Sequence, residues 1–101
     1  MTSPDHPDAQ FEWDDAKAIA NLEKHGVSFR EAREIFDDEF MQLMYDDDYS
    51  DSEERFIAIG MSKSWKLLIV VHTIRNDRFR LISARNATNS ERRTYETGIE
   101  P

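Results

Sequence analysis

The chain has 101 residues and a net charge of −8, with 39% hydrophobic and 34% charged residues, a composition typical of one small globular domain. It contains no cysteine, which excludes disulfide frameworks and cysteine-ligated metal sites. The longest apolar run, Leu67 to Val71, is too short to cross a membrane, and the first ten residues lack the basic and apolar regions of a signal peptide. We therefore expect a cytoplasmic protein.

The charge is divided unequally between the two halves of the chain. Residues 1–54 carry 17 acidic and 4 basic side chains, a balance of −13, whereas residues 55–101 carry 4 acidic and 9 basic side chains, a balance of +5. This argues against nucleic-acid binding over the whole surface, but the basic half could contact a phosphate backbone locally. The acidic half could dock a basic partner protein.

The N-terminal part predicts a tail, a short extended segment and a helix. Residues 1–10 are expected to form the tail, and residues 11–98 a single domain. The aromatic segment from Phe11 to Trp13 predicts a strand or an extended lead-in. Asp14 or Asp15 can then cap a helix that runs to about His25 before Gly26 stops it. An apolar stripe is expected to form its buried side: Ala16, Ile19, Ala20 and Leu22 or Glu23.

A second helix and two strands follow. Ser28 to Glu31 has the spacing of a capping box, which predicts a helix through about Phe36. Residues 40–45 and 55–60 predict strands, separated by the acidic loop at 46–53. That loop lacks the glycine and the alternating ligand positions of a calcium site, so a solvated loop or a docking surface is the preferred interpretation and no metal site is expected.

Residues 67–85, LLIVVHTIRNDRFRLISAR, predict a β-hairpin. Asn76 and Asp77 form its two-residue turn, because both residue types tolerate the positive φ that such turns need. One face then carries arginines at the turn end, where pairing places Arg75 opposite Arg78, Thr73 opposite Arg80, Val71 opposite Ile82 and Ile69 opposite Ala84. The other face is expected to be the core face: Leu68, Val70, His72, Ile74, Phe79 and Leu81, with Ser83 and Arg85 at its far end.

The last element is a helix. Thr88 to Glu91 is a second capping box, and the helix should end near Gly98. The order of elements predicts an α+β domain with a four-stranded antiparallel sheet, two N-terminal helices and one C-terminal helix, all packed on one sheet face.

Several strings stand in a characteristic order along the chain. They are FEWD at 11–14, KHGVSF at 24–29, ERFI at 54–57 and RLISAR at 80–85, followed by Glu91, Arg92, Arg93 and Tyr95. In this combination the chain resembles the BrnT family of type II toxin–antitoxin toxins over about residues 11–96. The pairing of KHGVSF with ISAR is fairly specific, whereas each string alone is weak.

The resemblance implies a RelE-like fold and a metal-independent ribonuclease that arrests translation and needs no small-molecule cofactor. It also implies a tight complex with a BrnA-like antitoxin, a ribbon-helix-helix DNA-binding protein through which the complex would reach operator DNA. The chain departs from the family pattern at Thr73-Ile74-Arg75, where an acidic residue is expected before the turn, and in the run Asp46-Asp47-Asp48. The first departure adds positive charge beside the site and leaves the substrate preference open.

Metal-free RNA cleavage needs groups that move protons and cations that stabilise charge on the phosphorane. We expect His25 or Glu54 to move protons and Arg80 to contact the scissile phosphate, since a guanidinium forks onto phosphate oxygens. Further phosphate contacts are expected from a set of basic residues: Lys24, Arg55, Arg75, Arg78 and Arg85.

Structural roles compete with each of these assignments. His25 and Lys24 could simply end a helix, Glu54 could form a cross-strand ion pair, and the arginines near the turn could be a solvated hairpin tip. Arg85 has the opposite strand parity to Arg80, so the two share a face only if a bulge or the end of the strand re-aims Arg85. The alternative function is a non-enzymatic module that binds a DNA-binding, antitoxin-like protein.

Overall fold

The computed structural model describes residues 10–46 and 54–99. The tail predicted before residue 10 and most of the predicted acidic loop, residues 47–53, lie outside the described residues. The elements in chain order are β1 (Phe11–Glu12), α1 (Asp15–His25), α2 (Phe29–Glu34), a 3-10 turn (Ile35–Asp37), β2 (Gln42–Tyr45), β3 (Phe56–Met61), β4 (Leu67–Arg75), β5 (Arg78–Asn86) and α3 (Asn89–Ile99).

The sheet has five strands in the order β1-β5-β4-β3-β2, and β1 runs parallel to β5 while the other pairs are antiparallel. The predicted four-stranded antiparallel sheet is therefore wrong. The extra strand is only two residues long, too short for its alternation to show that it joins the sheet or which strand it pairs with. It is held by tertiary contacts: the Phe11 ring packs 5.0 Å from Phe36 and 5.1 Å from Phe79, and Phe79 N donates to Gln10 O at 2.8 Å.

The predicted helix starts are confirmed. Asp14 Oδ2 accepts from Lys17 N at 2.9 Å, and Ser28 Oγ accepts from Glu31 N at 3.0 Å. Gly26 ends α1 with φ +71°, the left-handed conformation that favours glycine. The second helix is shorter than predicted, since α2 gives way to the 3-10 turn at Ile35.

Helices cover both faces of the sheet. On one face, which we call the α1–α2 face, these two helices pack over a core that includes Val27, Phe29, Leu68 and Leu81. On the opposite face, Tyr95 of α3 packs in a second buried cluster, which contains Ile59, Leu67 and Ile69. The expectation of helices on one face only is therefore wrong. It failed because β3 and β4 are nearly continuous apolar runs, and such strands can bury both faces.

The predicted buried stripe of α1 is also wrong. Ile19 is 62% exposed and Leu22 51% exposed, whereas the buried residue of this helix is Asn21. Asn21 Nδ2 donates to Ala84 O at 2.8 Å and to Val27 O at 2.9 Å, and Ala84 N donates to Asn21 Oδ1 at 3.0 Å. Strand β1 pairs with only two residues of β5, and the Asn21 amide bonds to backbone groups of β5 beyond that pairing. These hydrogen bonds fix the rotation of α1 about its axis.

The hairpin turn is confirmed, with Asn76 at φ +54° and Asp77 at φ +63°. Thr73 pairs with Arg80 as predicted, but further along the hairpin Val71 pairs with Ser83, so Ile82 is an extra residue on β5. His72 still pairs with Leu81 in the predicted register, and the bulge overturns that register only beyond Leu81, which moves Ser83 and Arg85 off the core face. The predicted core residues of the hairpin are at least half-buried except Ile74, which is 53% exposed.

Candidate functional site

Arginine side chains gather on the face opposite α1 and α2, at the hairpin-turn end. Strand pairing places Arg75 opposite Arg78 and Thr73 opposite Arg80. These four residues have the same strand parity as Ile69, so their side chains lie on the face that α3 partly covers. Because α3 packs over the other end, around Leu67 and Ile69, these arginines occupy the part of the surface nearest the turn. We call Arg75, Arg78 and Arg80, with the neighbouring Arg55, the arginine face.

Glu12 is the carboxylate of this site that the sequence did not reveal. It pairs with Arg80 through the parallel β1–β5 register. Arg80 Nη1 donates to Glu12 Oε2 at 3.0 Å, and Arg78 Nη1 lies 3.7 Å from Glu12 Oε1. The carboxylate offsets the repulsion between the two guanidiniums. The available signal was the alternation in FEWD, which places Phe11 in the core and Glu12 on the other face, but only the non-local pairing says which strand it meets.

Glu54 and Arg55 are tied to the hairpin, with their side chains differently placed. Thr73 Oγ1 donates to Glu54 O at 2.6 Å, which sets Arg55 beside the arginine face and leaves it half-buried. The exposed Glu54 carboxylate accepts a long 3.5 Å hydrogen bond from the Tyr45 hydroxyl. The Tyr45 ring packs on Phe56, whose strand parity places its side chain on the α1–α2 face. Glu54 is therefore turned away from Arg80.

The bulge at Ile82 settles the parity of Arg85. It places Arg85 opposite Ile69, on the same face as Arg80 and about 15 Å further along β5. There its Nη1 and Nη2 donate to the two Glu91 oxygens, each at 2.8 Å. These hydrogen bonds from Arg85 lower the pKa of Glu91 to about 2. Arg85 thus anchors the start of α3 through the carboxylate of Glu91.

Lys24 and His25 lie in the last turn of α1. Chain direction places them away from Arg80: Glu12 stands beside Arg80, Asn21 reaches Ala84, and His25 follows one helical turn later. The half-buried His25 is therefore near the Arg85 end of β5. The three residues expected to carry catalysis, His25, Glu54 and Arg80, are not assembled into one cluster.

His72 belongs to the core, as the hairpin pattern indicated. It is 1% exposed, and its ring centroid lies 5.0 Å from that of Phe36, 5.7 Å from Phe56 and 5.8 Å from Phe79. Burial lowers the pKa of His72, because the aromatic surroundings disfavour the imidazolium. The residue is neutral at pH 7 and fills space.

Residues 10–46 and 54–99 contain neither a metal-binding cluster nor a membrane-spanning helix. No group of three or more histidine and carboxylate side chains in these ranges could hold a metal ion. None of the helices there is long and apolar enough to span a membrane.

The arginine face can bind anions at several points. Guanidiniums present planar, paired donors that match phosphate oxygens, and rows of them on a sheet can follow a phosphate backbone. The fold and this face together define a small α+β protein with a cationic sheet surface at one end of an acidic molecule.

Comparisons with known proteins identify the family. The model of the family described as the ribonuclease toxin, BrnT, of type II toxin–antitoxin systems matches residues 13–91. The chain belongs to this family, which confirms the resemblance seen in the sequence, and it is a ribonuclease toxin of a type II system with a cognate antitoxin as partner.

The structure is similar to the 1.1 Å crystal structure of the Brucella abortus ribonuclease toxin BrnT, with a TM-score of 0.60 and 21% sequence identity. The match covers 78% of this chain and 96% of the Brucella chain, and at this identity it shows the fold alone. No curated protein matches the sequence.

Proposed function

We propose that this toxin cleaves RNA without a metal ion, by attack of a 2′-hydroxyl on the neighbouring phosphorus, and thereby inhibits translation in the cytoplasm. The observation that carries the proposal is the placement of Arg80, with Arg75 and Arg78, on the sheet face on which α3 packs, at the end of that face that α3 leaves uncovered. Glu12 holds Arg80 in position at 3.0 Å.

In the proposed reaction a base removes the 2′-hydroxyl proton, the 2′-oxygen bonds to phosphorus, and the 5′-oxygen leaves with a proton from an acid. The products are a 2′,3′-cyclic phosphate and a 5′-hydroxyl end. Arg80 stabilises the extra negative charge of the phosphorane, with Arg55, Arg75 and Arg78 on the adjoining phosphate oxygens. The chain's own charges thus supply the electrostatic part of catalysis.

The proposal includes two further groups of residues. Lys24 and Arg85 lie towards the other end of β5 and would bind phosphates further along the RNA strand. His25 and Glu54 are proposed for proton transfer, and Glu12 joins them as the carboxylate nearest to Arg80. Each would need RNA to reach it from the arginine face, since the structure does not bring these three groups together.

The partner is proposed to be a ribbon-helix-helix DNA-binding antitoxin of the BrnA type. Operator DNA would then be bound through the antitoxin. The acidic N-terminal half, at −13, gives the toxin no general affinity for DNA of its own.

The decisive experiment incubates antitoxin-free toxin with protein-free RNA in excess EDTA. Arg80→Ala should lower the cleavage rate by about 100-fold or more, as loss of a transition-state donor does elsewhere, and Arg80→Lys should restore part of it. Arg93→Ala is the matched control, because this exposed arginine lies on α3 about 200° around the helix from the buried Tyr95.

The proton-transfer assignments need their own readout. Glu12→Gln, His25→Ala and Glu54→Gln are compared by their pH–rate profiles, in which loss of the true base removes the acidic limb. A variant that lowers the rate equally at every pH only positions other groups.

Intact RNA with the wild-type protein would exclude autonomous cleavage. The same variants would then be assayed on translating ribosomes. Inactivity there too, with normal antitoxin binding, would favour the partner-binding module. One observation already favours that alternative: Arg80 and Arg85 each have a carboxylate partner within the chain.

A further inference from the structure

A second surface feature lies at the opposite end of the sheet from the arginine face. It is a groove of about 730 Å³ between the 3-10 turn, the β3–β4 turn and the C-terminal end of α3. Apolar side chains contribute much of its lining, namely Phe40, Met61, Trp65 and Ile99. We call it the acidic groove, for the charge described below.

Trp65 is presented to solvent by a rigid turn. Its side chain is 82% exposed and its φ is +65°, a left-handed conformation that costs a tryptophan free energy. The turn is fixed from both sides: Trp65 N donates to Ser62 O at 3.0 Å, the Ser62 hydroxyl donates to Glu31 at 3.1 Å, and Lys63 N donates to Glu34 Oε1 at 3.0 Å. Such a held, exposed aromatic is typical of a binding anchor.

Other large apolar side chains stand exposed beside Trp65. Phe40 is 46% exposed and Ile99 38% exposed, and both line the same groove. Together they form an apolar patch in contact with solvent, the kind of surface that marks an interaction site.

The charge of the groove selects its partner. Its lining includes four carboxylates, Asp37, Asp38, Glu39 and Glu96, and no basic side chain. Asp37 is compensated by Arg33 at 3.3 Å, and Asp38 accepts hydrogen bonds from Tyr95 Oη at 2.6 Å and from backbone amides. Glu39 and Glu96 are exposed, so their negative charges can interact with a basic side chain of a partner.

We propose that the acidic groove binds a basic segment of the cognate antitoxin. The stem of a lysine or arginine lies along Trp65 and Phe40, where the cation also meets the aromatic faces, and its charged end meets Glu39 and Glu96. The inference rests on the proposed function only in taking an antitoxin as the partner. The nine residues of β4 run from Leu67, at the groove end, to Arg75 of the arginine face, roughly 27 Å, so this contact does not itself cover the arginine face.

A second groove provides the comparison. It lies between α1 and α2, measures about 390 Å³, and is lined by the exposed Ile19 and Leu22. Its charged lining residues, Asp15 and Arg30, are of opposite sign. It therefore has no charge preference for a basic segment and supplies matched controls.

The test measures the affinity of full-length antitoxin for toxin variants by calorimetry. Trp65→Ala should weaken binding about thirtyfold or more, as loss of a tryptophan anchor does. The double variant Glu39→Lys with Glu96→Lys should weaken it at least about tenfold, with most of the loss at low salt. The controls, Ile19→Ala and Glu23→Lys, remove an exposed apolar side chain and reverse an exposed charge on α1, and both should stay within about twofold of wild type.

A fluorescence readout locates the contact. In a Trp13→Phe background Trp65 is the sole tryptophan, and antitoxin binding should shift its emission to shorter wavelength because the indole leaves water. Unchanged affinity of Trp65→Ala, or an unchanged emission maximum on saturation, overturns the proposal. So does loss of affinity in Ile19→Ala alone, which would assign the partner to the α1–α2 groove.

Two other outcomes complete the test. If the toxin alone is a dimer by light scattering and Trp65→Ala makes it monomeric, a second copy of this chain occupies the groove and the proposal fails. RNA cleavage by Trp65→Ala is measured in parallel and should equal wild type. Failure of the ribonuclease proposal would show as intact RNA in every lane, whatever the antitoxin affinities, so the two failures are distinguishable.

Discussion

The Arg85–Glu91 pair joins both oxygens of the carboxylate to one guanidinium, and it determines a pH dependence. The hydrogen bonds from Arg85 hold the pKa of Glu91 at about 2, below its ordinary 4.5. A carboxyl group with a depressed folded-state pKa contributes stability that is complete above about pH 4.5 and is lost as the pH falls towards 2. Its contribution at pH 7 is on the order of 1 to 2 kcal/mol after allowance for partial exposure.

Glu91→Gln should therefore lower the free energy of unfolding at pH 7 by about that amount, and by much less at pH 2.5. Urea denaturation at both pH values measures the difference. A destabilisation that is equal at the two pH values would show that Glu91 acts through its capping hydrogen bonds to Thr88 and not through its charge.

Single residues also show what the sequence could and could not predict. The core position of His72 and the turn at Asn76 and Asp77 followed from local alternation and backbone chemistry, and both are confirmed. Glu12 was not singled out, and the face of Arg85 was left open, because their neighbours depend on a parallel pairing and on a one-residue bulge. Neither feature leaves a local signature, so the sequence placed the turn-end arginines on one face but did not reveal the carboxylate beside them.

At the scale of elements, α1 depends on one polar side chain. Asn21 is buried and makes three hydrogen bonds to the backbone of Ala84 and Val27. Asn21→Ala would leave a buried amide and two carbonyl groups with fewer partners, and we expect the free energy of unfolding to fall by about 3 kcal/mol. Leu22→Ala, which truncates a half-exposed neighbour, should cost less than about 1 kcal/mol.

Hydrogen exchange distinguishes this contact from a general loss of stability. The Ala84 amide should lose protection in Asn21→Ala at denaturant concentrations where the β3–β4 amides remain protected. Uniform loss across the sheet would mean that Asn21 does not act through the edge of β5. These hydrogen bonds also explain why the apolar stripe did not predict the buried side of α1. They set the rotation of the helix so that Asn21 is buried and Ile19 and Leu22 are exposed.

The β3–β4 turn makes a prediction about strain. Trp65 has φ +65°, so Trp65→Ala keeps the left-handed backbone with a side chain attached, whereas Trp65→Gly relieves it. We expect the glycine variant to be more stable than the alanine variant by about 1 kcal/mol in thermal or urea unfolding. Equal stabilities would indicate that the turn relaxes in both. Because both variants lose the indole, they should be equally weak for the antitoxin.

At the scale of the molecule, charge and topology agree. The acidic N-terminal half contributes three of the four groove carboxylates, and the basic C-terminal half contributes all of the arginine face. The antiparallel β3, β4 and β5 carry these two surfaces to opposite ends of one sheet. An overall charge of −8 thus coexists with a local cluster of arginines at one end of the sheet, which the net charge alone does not reveal.

The electrostatic effect of the acidic groove on the arginine face, about 27 Å away, can be tested by varying the ionic strength. Glu39→Lys with Glu96→Lys changes the net charge from −8 to −4 without touching the arginine face. The screening length is about 30 Å in 0.01 M salt and about 8 Å in 0.15 M salt. The double variant should therefore bind RNA several-fold faster than wild type at the lower salt concentration and at nearly the same rate at the higher one.

Asp77→Asn is the control for that experiment, because it removes a negative charge beside Arg78 and asparagine also tolerates the left-handed turn position. Its acceleration should persist in 0.15 M salt, where a charge within one screening length of the bound phosphate still acts. If the groove variant also accelerated RNA binding in 0.15 M salt, RNA would have to pass over the acidic groove itself. The two ends of the sheet would then form one continuous binding surface, and antitoxin and RNA would compete for it directly.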